Sequence, residues 1–162
     1  MCGITGFVGK GEALPFLMQG LNKLEYRGYD SAGVTLVDDN GLYTFKSKGR
    51  LCHLEDLLKG KSHPQKTGIG HTRWATHGIP SNLNSHPHTN AKNTISIVHN
   101  GIIENYQAIK KELIRQGYPF VSQTDSEVIV HMIDYYDRGN LFEALQKAVR
   151  YLEGSFALCV VS

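Results

Sequence analysis

A layered α+β sandwich is the fold class that the sequence predicts, and three observations carry it. Short runs of alternating or continuous apolar residues have the period of strands. Longer runs repeat their apolar residues at helical spacing, and most of the strand runs precede most of the helical ones. That order disfavours a Rossmann-type alternation. In chain order, MCGITGFVGKG supplies a strand over 2–9, and EALPFLMQGLNKLEY follows as an amphipathic helix. GVTLVDDNGLYTFKSKG reads as a hairpin with strands over 32–38 and 42–48, because Asn40-Gly41 is the strongest two-residue turn signal. LCHLEDLLKG is helical, and strands are expected over 67–72 and 94–99. NYQAIKKELIRQG is the next helix; SEVIVHMIDYYDRG and LFEALQKAVRYLEG form two more, divided by a Gly-Asn break. The last strand, 155–161, lies in SFALCVVS with no closing element after it, which suggests a piece of a longer protein.

Composition narrows the function classes. A chain of 162 residues buries roughly two-thirds of its unfolded surface, enough for a core. Hydrophobic residues at 41% and charged residues at 20% describe a soluble globular domain. A formal net charge of +2 gives no reason to expect nucleic acid or a membrane surface as partner. No segment has the pattern of a secretory signal or a membrane span. Cys2, Cys52 and Cys159 are odd in number and lack CxxC spacing, which argues against a disulfide framework or structural zinc and fits a reducing cytoplasm.

In four stretches polar residues interrupt strand ends instead of filling helix faces. Cys2 is either a small buried hydrophobe opening a strand or a nucleophile. Removal of Met1 would give it a free α-amine with a reference pKa of about 7.7–8.0, suited to act as base for the adjacent thiol. HTRWATHG reads as a loop after a strand. Its Arg73 either stacks on Trp74 at the surface or clamps a carboxylate in bidentate fashion. His71, His77, His86, His88 and His99 lack metal-ligand spacing, so capping and loop-bracing are expected of them and no metal site is assigned. Asn100-Gly101 is either a plain turn or a pair of donors for an oxyanion. In TDSE, Thr124 and Glu127 match a capping box, while the Asp125 carboxylate could instead receive an ammonium group. GFVGKGEA misses the phosphate-loop spacing and is assigned no phosphate.

Taken together, MCGI, LEYRGYDSAG, GHTRWATHG, HPHT, HNGIIENY and TDSEVI closely resemble the glutaminase domains of the isomerising glutamine–fructose-6-phosphate aminotransferases, or glucosamine-6-phosphate synthases. The resemblance runs from Cys2 to Ser162. It implies a four-layer αββα sandwich of the N-terminal-nucleophile type, with residues 2–162 as a partial glutaminase domain and the sugar-phosphate isomerase domain absent from this chain. It also implies roles. Cys2 would be the nucleophile with its own α-amine as base, and Asn100 and Gly101 the oxyanion hole. Arg73 would hold the glutamine α-carboxylate and Asp125 its α-ammonium. Trp74, Thr76 and His77 would belong to a loop closing over glutamine, and Arg27 would stand beside the nucleophile. The resemblance implies no cofactor. The partners it implies are L-glutamine, an isomerase domain with a fructose 6-phosphate site, and further copies of the full-length protein. Two rival readings are the glutaminase domain of amidophosphoribosyltransferase and a non-catalytic glutamine-binding module. A histidine-rich metal-binding module is a third.

Overall fold

The computed structural model describes residues 2–75 and 77–162. Its first sheet has the order β1-β4-β2-β3, from β1 (Gly3–Val8), β4 (Thr67–Arg73), β2 (Ser31–Asp38) and β3 (Gly41–Lys48), with every neighbour antiparallel. Alternation along β2 decides which way each side chain goes. Val34 and Leu36 join the apolar core under the helices, while Thr35 points to the other sheet and hydrogen-bonds Ser96 at 2.8 Å.

Two helices cover the outer face. In α1 (Ala13–Leu24), Ala13, Leu17 and Leu21 form a buried stripe at four-residue spacing. Pro15 is tolerated because it stands in the first turn, where its missing N–H would have had no helical partner. In α2 (Leu51–Leu58) the buried stripe is Leu51, Leu54 and Leu58.

The second sheet has the order β5-β6-β7, from β5 (His88–Thr89), β6 (Ser96–Ile103) and β7 (Gly154–Val161), also antiparallel. It is covered by α3 (Tyr106–Arg115), α4 (Ser126–Tyr136) and α5 (Leu141–Val149). α4 lies between β6 and the other two helices, so every residue from Ser126 to Ile133 is buried. The Gly-Asn break is a true helix start: Asn140 accepts from the Glu143 N–H at 3.2 Å and donates back to its carboxylate at 3.0 Å. The layers therefore run helix, sheet, sheet, helix, as an αββα sandwich with an apolar core on each outer side. No helix among the described residues is long and apolar enough to cross a membrane.

Three local expectations change. The hairpin loop is Asp39-Asn40, with Gly41 paired opposite Asp38 rather than in the turn. The Asp38 carboxylate caps the Asn40 N–H at 2.8 Å, and Gly41 takes the positive φ of 129°. The strand expected over 94–99 continues to Ile103, so Asn100-Gly101 is not a turn. Pairing with β7 carries it onward, with Gly101 opposite Phe156. Thr124 and Glu127 make no capping box. The Glu127 carboxylate instead accepts from the N–H groups of Val121 and Ser122, at 2.9 and 2.8 Å, and from the Ser122 hydroxyl at 2.7 Å. Against its burial, the His131 imidazole 3.7 Å away together with these bonds holds the Glu127 pKa down at about 2.

Candidate active site

A cleft of about 550 Å³ opens where the ends of the two sheets meet, and residues from distant parts of the chain line it. Cys2 reaches it from the start of β1, which is pinned by pairing of Gly3 with Thr72 on β4. The thiol accepts a hydrogen bond from the Trp74 N–H at 3.2 Å and lies 3.5 Å from the Trp74 carbonyl. Met1, whose removal the sequence reading requires, lies outside the described residues.

Asn100 and Gly101 enter from β6 on the opposing sheet. The Asn100 amide donates through Nδ2 to the Cys2 carbonyl at 3.2 Å, and its Oδ1 lies 2.8 Å from His71 Nε2. Gly101 has φ of +126°, and a Cβ there would lie 2.1 Å from the Ser155 carbonyl oxygen, so only glycine fits. The nucleophile candidate and the oxyanion candidates thus stand on different sheets and meet across the seam.

Arg73 ends β4 with only 4% of its surface exposed. Nη2 donates to the carbonyls of His77 and Gly78, the latter at 3.1 Å. Nη1 is buried with no hydrogen-bond partner among the described residues, leaving a donor for an anionic ligand. Burial draws the guanidinium pKa below its ordinary value, opposed by Cys2, Asp30 and Asp125. Asp125 precedes α4, borders the same cleft, and gives one oxygen to the Ile103 N–H at 2.9 Å. A cation clamp and an anionic acceptor in one cleft suit a ligand carrying both a carboxylate and an ammonium group.

Trp74 and His77 line the cleft mouth, Trp74 45% exposed and edge-on to Tyr29 at 5.6 Å. Thr76, expected in the same loop, lies outside the described residues. Arg27 stands on the rim in a 3-10 turn, donating to the Tyr26 hydroxyl at 2.9 Å. The structure therefore brings together Cys2, Arg27, Arg73, Trp74, His77, Asn100, Gly101 and Asp125.

Sequence reasoning missed two supports. Asp30 accepts from the Ala75 N–H at 2.6 Å and so fixes the root of the loop after Arg73. Asn84 holds the loop's far end, donating to the Ile79 carbonyl at 2.9 Å and accepting from the Gln123 N–H at 2.9 Å. Asp30 falls inside the LEYRGYDSAG stretch, but nothing in the sequence says which backbone it reaches.

The histidines also take an unexpected place. His71, His86, His88 and His99 form one buried array that runs from the inner face of the first sheet to the start of α4, with His71 stacked on His86 at 4.1 Å and His86 edge-on to His88 at 4.7 Å. Among the described residues no three His, Cys, Asp or Glu side chains converge as metal ligands. Burial lowers all four pKa values, to about 4 for His71 and about 3 for His88, so the rings are neutral at pH 7.

Fold and cleft together define a class, and the comparisons agree with it. Residues 71–162 match the glutamine amidotransferase domain family, and the chain belongs to that family. It is 58% identical, over 99% of its length, to 26% of a protein from Clostridium tetani named glutamine–fructose-6-phosphate aminotransferase (isomerizing). It is 53% identical over its full length to 27% of the Aquifex aeolicus protein of the same name. The chain thus spans about a quarter of the curated relatives it matches. Among solved structures, the glutamine phosphoribosylpyrophosphate amidotransferase of B. subtilis superposes with TM-score 0.87 at 27% identity, over 99% of this chain and 35% of that one. A glutamine aminotransferase class-II domain protein from Silicibacter pomeroyi shares the fold, with TM-score 0.62 at 13% identity, over 99% of this chain and 72% of that one.

Proposed function

We propose that this chain is the ammonia-releasing glutaminase unit of an isomerising glutamine–fructose-6-phosphate aminotransferase. The observation that carries the reading is the meeting of the Cys2 thiol with Asn100 and Gly101 in a cleft that also holds Arg73 and Asp125. L-Glutamine would bind with its α-carboxylate on Arg73 and its α-ammonium on Asp125, its side-chain amide toward Cys2. Trp74, Thr76 and His77 would close over it, and Arg27 would guard the rim beside the thiol. The higher identity to the fructose-6-phosphate enzymes than to the phosphoribosyl enzyme supports the first over the second.

After loss of Met1, the Cys2 α-amine takes the thiol proton as sulfur attacks the amide carbon. The oxyanion that forms is held by the Asn100 NH₂ and the Gly101 N–H. The carbon–nitrogen bond then breaks, the α-ammonium returns its proton to the departing ammonia, and a γ-glutamyl thioester remains. Water, losing a proton to the same amine, attacks the thioester, releasing glutamate and restoring the thiol. In the whole protein the ammonia would pass to a sugar-phosphate isomerase domain and aminate fructose 6-phosphate. Further copies of the full-length chain would assemble around it, in the cytoplasm that three free thiols suit.

The test is glutamate release from L-glutamine by the chain with Met1 removed, checked by intact mass. Wild type is expected to release glutamate and Cys2→Ala to release none. Full activity in Cys2→Ala would overturn the mechanism.

A further inference from the structure

We propose that His71 is a positioning residue for this reaction: its single Nε2–H orients the Asn100 amide and ties the sheet bearing the nucleophile to the sheet bearing the oxyanion donors. The inference rests on the glutaminase reading of the cleft and adds a residue to it.

His71 Nε2 lies 3.1 Å from the His99 carbonyl oxygen and 2.8 Å from Asn100 Oδ1. A carbonyl oxygen only accepts, so Nε2 must carry the proton. The amide atom facing it is then Oδ1, which places Nδ2 3.2 Å from the Cys2 carbonyl, another acceptor. A reversed amide would set oxygen against oxygen and N–H against N–H, exchanging two hydrogen bonds for two repulsions. One imidazole proton thus decides which way the Asn100 NH₂ points.

The surroundings hold that proton in place. His71 Nδ1 is buried with no partner among the described residues, so the proton gains nothing by moving there. The ring is clamped by its stack on His86, at 4.1 Å and 20°. His86 is oriented in turn: its Nδ1 accepts from the His99 N–H at 3.3 Å, which leaves Nε2–H to donate to the Ser126 hydroxyl at 3.3 Å. Ser126 then donates to His99 Nδ1 at 2.8 Å. Each tautomer in this chain follows from a backbone group whose role is fixed.

Topology explains why such a tie is needed. Cys2 and His71 belong to the first sheet, where His71 pairs with Ile4, two residues beyond the nucleophile. Asn100 belongs to the second sheet. Among the described residues no backbone ladder joins the two sheets, so their relative placement rests on side chains, and catalysis tolerates little slack in donor position.

The experiment measures glutamate-release kinetics for wild type, His71→Leu, His71→Gln, Asn100→Ala and the double variant His71→Leu/Asn100→Ala. Losing an oxyanion donor outright costs about 10²–10³ in rate, so loosening one is expected to lower kcat about tenfold in His71→Leu, with KM near wild type. His71→Gln, whose amide N–H can reach the same acceptors, should recover most of that loss. With Asn100 already gone, His71→Leu should lower kcat much less than it does in the wild-type background, because only its bond to the His99 carbonyl is then left to lose. An equal fall in both backgrounds, or no fall in either, overturns the proposal. A wild-type chain that releases no glutamate refutes the glutaminase reading instead. The His71 contact is then judged by NMR of the Asn100 side-chain amide: a shift in His71→Gln and His71→Leu sustains it, and unchanged resonances overturn it.

Discussion

The outer and inner halves of this sandwich are built by different physics. Between each sheet and its helices lie aliphatic side chains: Leu17, Leu21, Val34, Leu36 and Leu54 on one side, Ile97, Ile103, Ile129 and Ile133 on the other. Between the two sheets polar groups stand among the apolar Ile69, Val98 and Cys159. Thr35 is bonded to Ser96 and Thr44, and His71 reaches across to the His99 carbonyl and Asn100, its ring opening an array that continues through His86 and His88 to His99 beside α4. Apolar packing is strong but tolerant of small slides. Hydrogen bonds are weaker in net energy, yet they fix direction and distance. The cleft stands at the seam where direction matters, and the aliphatic layers supply the stability beneath it.

The comparison breaks most visibly in the outer layer. Leu21 is fully buried in the first core, so Leu21→Ala should cost about 2–5 kcal/mol in denaturant unfolding. KM for glutamine in the folded fraction should change little. A larger effect on KM than on stability would mean that the two halves are not separable.

Acid should attack the seam first. The four buried imidazoles are neutral when folded, with pKa values below the roughly 6.5 of an unfolded histidine. The unfolded chain therefore binds more protons below that pH. The stability they contribute is complete above about pH 6.5 and is lost as pH falls toward about 4. For His71 alone this is on the order of 3 kcal/mol. Unfolding free energies measured between pH 7.5 and 4.5 check it, and a flat profile across that window would contradict it.

A gentler probe sharpens the contrast. Thr35→Val keeps shape but leaves the Ser96 hydroxyl without its partner, at an expected cost of about 1–3 kcal/mol. Thermal unfolding measures it. A stabilised variant would show that the seam gains nothing from its polar groups.

What the sequence made legible follows the same division. The helical stripes of α1 and α2 and the hairpin pair are local patterns, and they are visible because burial of an aliphatic face leaves a period behind. A plain turn at Asn100-Gly101 stayed open in the sequence because the dipeptide Asn-Gly carries that meaning locally. Pairing with β7, far along the chain, overrides it. Glu127 fits a capping box by spacing, but its carboxylate finds two loop N–H groups and a hydroxyl within reach. The motif stretches named most of the residues that line the cleft. They did not reveal that the scattered histidines form one array, because side chains meeting across two sheets leave no period in either strand. Asp30 was hidden for the same reason, its partner being the Ala75 N–H in a loop beyond the next three strands.

The central claim is that a nucleophile on one sheet works against donors on the other. Steady-state glutamate release by Asn100→Ala tests it most directly. The account predicts that kcat falls about 10²–10³-fold while KM for glutamine stays near wild type, because the amide serves the oxyanion and not the bound substrate. An unchanged kcat, or a loss confined to KM, would contradict it.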